Sequence, residues 1–244
     1  MRNPFKKNLK LDLYTCDNGY FVNDKPDKKA DQASWWKNLK NTVKFDDAPS
    51  RSSFELGTAK NCPGIRNLMT EGIKFRLWEH LKLRIMPDGK VEQLPLGFQS
   101  KDEPFVQHYP PQFEGLYPRN ACAFKLNTPW LGKCSEDVNF LFMESHYSTG
   151  FFREHNAYIA PGYINFKYQH SLNCHIIVPT EPEPYEIEMP YGLPLFTIYP
   201  ITERELEIEH YQVSYEKYRE LTAEFPMCPY RKYFTFVKKL TGND

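Results

Sequence analysis

With 41 % hydrophobic and 16 % aromatic residues, a chain of 244 residues can build a real core, and its excess of tyrosine and phenylalanine favours strands. Thirty-one Lys and Arg balance thirty-one Asp and Glu, giving zero net charge and no general pull towards nucleic acid or an anionic membrane. No run approaches the roughly twenty apolar residues of a membrane-spanning helix.

In chain order, residues 1–33 read as an N-terminal extension, with one short strand at Leu11, Leu13 and Tyr14 and a turn at Asp17-Asn18-Gly19. Met1 to Lys10 is basic but lacks the apolar centre of a signal peptide, and the six cysteines are scattered without a C-x-x-C pair. Free thiols in a reducing compartment are the expectation. Ser34-Trp35-Trp36 opens the main domain, expected over 34–210, with its indoles docking onto the core. Pro63 and Gly72 bracket a helix over Ile65 to Glu71, in which Ile65, Leu68 and Met69 share a face. Ile73 to Trp78 and Leu81 to Met86 alternate apolar and polar residues, which predicts a meander with one wet face, turned at Pro87-Asp88-Gly89-Lys90 into a strand from Val91.

Gly97 to Arg119 reads as a long loop because Pro104, Pro110, Pro111 and Pro118 exclude a central strand. Strands follow at Ala121 to Leu126 and Val138 to Met143, with a bend at Thr128-Pro129-Trp130-Leu131-Gly132, and Glu144 to Glu154 reads as another loop. Between Ile159 and Pro200 three strands are expected, at Tyr163 to Tyr168, Cys174 to Val178 and Leu195 to Tyr199. Ile201 to His210 is acidic, and residues 211–244 read as a C-terminal helix near 214–224 followed by a tail. The fold class expected is mainly β: an antiparallel β-sandwich or cupin-like jelly roll with a helix in each half.

Several short motifs occur in a telling order: Ser34-Trp35-Trp36, Cys62-Pro63-Gly64 with Gly72 and Trp78, Lys125-Leu126-Asn127-Thr128-Pro129-Trp130, and Pro190-Tyr191-Gly192-Leu193-Pro194-Leu195-Phe196-Thr197-Ile198-Tyr199-Pro200. In these the chain resembles a family of uncharacterised proteins encoded by bacteria and tailed phages, over roughly Ser34 to Glu209. The resemblance implies a β-sandwich or cupin-like core and a phage setting, in the virion or the host cytoplasm. It carries over no catalytic residues.

The sharpest enzymatic alternative is a cupin-like, 2-oxoglutarate- and iron-dependent oxygenase, which needs two His and a carboxylate, usually spaced H-x-D or H-x-E. None of the seven histidines has that spacing, which leaves His146, His155, His170, His175 and Glu144 as a loose candidate set. A deoxyuridine-triphosphatase-like barrel fares worse, since Asn165 stands where an acid is wanted. Cys174 and His175 are neighbours on a strand and so face opposite ways. Neither a G-x-S-x-G elbow nor a Gly-rich phosphate loop occurs. No cofactor is expected.

The remaining candidates are rings and arginines on loops: Tyr109, Phe113, Tyr117, Arg119, Tyr147, Phe151, Phe152 and Arg153, with Tyr158 beside them. Tyr and Arg suit protein contacts because they bury much area for few frozen torsions. The expectation is a non-catalytic structural or interaction protein that docks onto other subunits, in the phage setting a virion component.

Overall fold

The structure, a computed structural model, describes residues 7–28, 34–47, 52–95, 105–108, 120–145 and 150–223. Its first part runs β1 (Leu9–Thr15), α1 (Asn18–Asn23), α2 (Ser34–Asn38), β2 (Thr42–Asp47), β3 (Ser52–Gly57), α3 (Pro63–Thr70), β4 (Ile73–Arg76), β5 (Leu81–Ile85), β6 (Val91–Leu94) and β7 (Phe105–His108). Then come β8 (Ala121–Lys133), β9 (Asn139–Glu144), α4 (Phe151–Glu154), β10 (Tyr158–Ile159), β11 (Gly162–Asn165), β12 (Ser171–Pro179), β13 (Tyr185–Met189), β14 (Pro194–Pro200), β15 (Leu206–Gln212) and α5 (Tyr215–Ala223). The fold is mainly β.

The largest sheet has the order β10-β12-β8-β1-β15, with β7 paired to the first half of β8. A four-stranded sheet runs β11-β9-β14-β4, a three-stranded one β13-β5-β6, and among the described residues β2 pairs only with β3. All pairings are antiparallel except β1 with β15, which run parallel from Leu9↔Leu206 to Thr15↔Gln212. Inward residues of the three larger sheets meet in one apolar cluster. At its centre Phe196 stacks on Phe75 at 4.7 Å and on Phe142 at 4.3 Å between ring centroids.

Strand β1 comes from the stretch expected to be an extension, yet it lies between β8 and β15 with Leu9, Leu11 and Leu13 fully buried. The L-x-L-x-L alternation is a core strand's pattern, whatever the lysines and aspartates around it. The turn at Asp17 also starts a helix: its side chain accepts from the backbone N–H groups of Gly19 and Tyr20 and caps α1. Of the two indoles on α2, Trp36 is buried and Trp35 exposed.

The expected meander divides between two sheets. β5 and β6 form a hairpin about Gly89, at φ +84°, while β4 joins the four-stranded sheet. The wet face expected for β4 is reduced to Arg76. Lys74 is only 3 % exposed, because its ammonium donates to the Met69 carbonyl at the end of α3. The bend expected at Pro129 lies inside a continuous strand, with the register against β12 slipping between Ser171 and Asn173. On its other edge β8 pairs with β7 up to Leu126 and with β1 from Leu131, so Pro129 sits where no ladder bond is needed.

Candidate interaction surface

Of the candidate contact residues, Tyr109, Phe113, Tyr117, Arg119 and Tyr147 lie outside the described residues, as does His146. The other three sit on α4, in a stretch expected as loop. Phe152 is 1 % exposed and belongs to the core, which corrects its reading as a docking ring. Phe151 packs against that core, edge-on to Phe152 at 5.3 Å and beside the His155 ring at 4.4 Å. Only Arg153 faces solvent. A four-residue helix has little hydrogen-bonding of its own, so it stays in place by burying its rings.

The described members of the loose metal set are each held by the fold at a different point. Glu144 ends the inward row Phe140, Phe142, Glu144 of β9, and its carboxylate accepts the Ile159 N–H at 3.1 Å, fastening β10 to the neighbouring sheet. His170 is buried with Nδ1 3.0 Å from the Gly132 carbonyl. His155 Nδ1 lies 2.9 Å from the Phe151 carbonyl one turn back. Among the described residues no three His, Cys, Asp or Glu side chains are grouped so as to hold a metal ion.

The buried thiols Cys122 and Cys174 are equally unsuited to attack. Burial pushes Cys122 up to about 11 and raises Cys174 well above the ordinary thiol value, the latter with a further push from the Glu144 charge. Nucleophilic thiols need the opposite, an electropositive and partly open setting. Cys174 and His175 do face opposite ways, the first into the core and the second onto the outer face of the sheet.

That outer face carries an arrangement which no local pattern in the sequence announces. His108 on β7 pairs with Ala123, His175 on β12 pairs with Lys125, and Ala123 and Lys125 share one face of β8. The small Ala123 leaves room for the two imidazoles to stack across it, with centroids 5.0 Å apart and planes at 26°. Partial burial, helped by His108 and Lys125, depresses His175 to about 4, so it is neutral at physiological pH. Tyr158 lies on the same face, opposite Ile177.

Val106, paired with Lys125, and Tyr158 leave some apolar surface exposed on this face, and more lies elsewhere. The β2–β3 ribbon presents the cross-strand pair Val43 and Leu56, 46 % and 45 % exposed. Its base is tied down through Thr58, whose hydroxyl donates to the Lys40 carbonyl at 2.6 Å and whose N–H donates to Asn41. Exposed rings add Trp35, Tyr163, Tyr191 and Tyr215, with Tyr163 the most open at 70 %. The sequence signal for the ribbon was the alternation V-K-F-D facing F-E-L, which is amphipathic at period two.

No protein-family model matches the chain, and no curated protein shows significant similarity to it.

Proposed function

We propose that this chain is a non-catalytic structural or interaction protein, its sheets stacked as a sandwich of jelly-roll type, which docks onto other protein subunits. The observation that carries the reading is the Val43–Leu56 pair on a two-stranded ribbon. A lone pair of strands is barely stable in water, so an amphipathic one gains most by meeting another surface. Glu144, His170 and His155, which chemistry could have used, instead hold strands and a helix end together, and the Cys174 thiol is sealed in the core.

A tailed-phage particle is the setting that the motif resemblance favours. Mass spectrometry of purified particles tests it: the chain is expected at fixed stoichiometry, and its absence overturns the virion reading. Iron co-purifying at near one atom per chain, together with turnover of 2-oxoglutarate, would overturn the non-catalytic reading in favour of the oxygenase.

A further inference from the structure

We propose that the ribbon's partner is a second copy of this chain, with β2 pairing edge to edge and antiparallel with the β2 of that copy. The inference rests on the interaction reading above and names a partner for the ribbon's edge, beside the face that carries Val43 and Leu56.

The sheet edges of the body are blunted. Gln107 supplies a side-chain mimic of a strand to β6, accepting from Val91 N–H at 3.1 Å and donating to the Gly89 carbonyl at 2.7 Å. The β15 edge is met by the segment after α1, through Lys28 on the Leu206 carbonyl and His210 on the Pro26 carbonyl. β4 is bridged by Asp27, β13 carries exposed Glu186 and Glu188, and β11 is four residues long. These are ordinary guards against edge-to-edge pairing. The ribbon's edges are uncovered by comparison: it carries six residues per strand, pairs with no other strand among the described residues, and is guarded only by charge, which on β2 is of both signs.

Its β2 edge is complementary to itself. In an antiparallel pairing centred on Phe45, position 44 of one copy faces position 46 of the other, and the sequence places Lys at 44 and Asp at 46. A two-fold axis makes that pair twice. Within each ribbon Phe45 already pairs with Phe54, so the row across the four strands reads 54, 45, 45, 54 and is phenylalanine throughout. Opposite charges and aromatic rings directly across strands are the pairs that stabilise sheets. The corresponding β3 edge offers no such charge match, since pairing centred on Phe54 sets Ser53 against Glu55. Two marginal ribbons thus become one four-stranded sheet, closed by two-fold symmetry.

Sedimentation velocity of the full chain over a concentration series tests this. The wild type is expected to dimerise reversibly. Asp46→Lys replaces two attractive pairs by two repulsive ones, leaves the internal Lys44–Glu55 pair intact, and should weaken the dimer about tenfold. The triple reversal K44E/D46K/E55K restores both the internal and the intermolecular pairs and should return affinity to within about twofold of wild type. A monomer at every concentration, a dimer indifferent to Asp46→Lys, or a triple variant as weak as the single one would each overturn the proposal. Particle incorporation is read separately, so a monomeric chain still found in particles refutes the second copy and not the interaction reading.

Discussion

Replacing His175 by Phe should flatten the acid limb of the protein's stability curve. The imidazole has an ordinary value of 6.5 and is held at about 4 in the fold, first by partial burial and then by His108 and Lys125. Above 6.5 neither the folded nor the unfolded chain carries this proton, and well below 4 both do. Between those limits the unfolded chain binds it and the folded chain does not, so stability falls as the pH falls. The difference between the two values corresponds to roughly 3 kcal/mol at about 1.4 kcal/mol per pH unit. The ring is only partly buried, and solvent screening reduces this to about 1.5 kcal/mol. Phenylalanine keeps a flat ring against His108 and suits a strand. Urea unfolding at pH 7 and pH 4 should therefore show the variant losing about 1.5 kcal/mol less than wild type between them. Carboxylates titrate in both proteins and cancel in that comparison. Equal losses would mean that the His175 ring is open to water and already protonates normally in the fold.

Gly72→Ala should cost about 2 to 3 kcal/mol, because the residue sits at φ +83° and an added Cβ would lie 2.6 Å from the Tyr199 ring; a urea midpoint within error of wild type would refute it. Tyr199 has little freedom to yield, since its hydroxyl donates to the Leu68 carbonyl at 2.8 Å. Phe152→Ala should lose about 3 to 4 kcal/mol in the same assay if the ring is a core anchor. A loss below about 1 kcal/mol would return Phe152 to the surface reading. Phe196→Ala removes a ring stacked on both sides and should cost about 4 to 5 kcal/mol, read as cooperative unfolding at a much lower denaturant concentration.

Strands that carry their own pattern were legible. Leu81 to Ile85 alternates buried and half-buried residues as its residues predict, and Cys174 to Val178 fills the middle of a sheet. The C-terminal helix and the φ +83° stop after α3 follow equally from local rules. Strands β13 and β15 escaped because glutamates separate their apolar positions. Tyr185-Glu186-Ile187-Glu188-Met189 and Leu206-Glu207-Ile208 look acidic and solvated, yet each glutamate points outward while Ile187, Met189 and Leu206 are buried. On β13 the charge is used across the strands: Glu186 holds both Lys82 and Arg84 of β5 at 2.8 Å.

Long-range register explains what sequence alone could not reach. Phe151 and Phe152 have the composition of a contact loop, and only the sheet beneath them makes them a plug for the core. The imidazole stack depends on β7 and β12 both pairing with β8, two residues out of step, so that a single alanine lies between the rings. The ribbon is an intermediate case: its alternation is local, but its strands are not among those expected from the sequence, and only the register pairs Lys44 with Glu55. A chain with no net charge cannot steer partners by its overall field. The proposed self-association would then rest on short-range pairing, for which the β2 edge offers Lys44 and Asp46 in an order that a copy of itself can match.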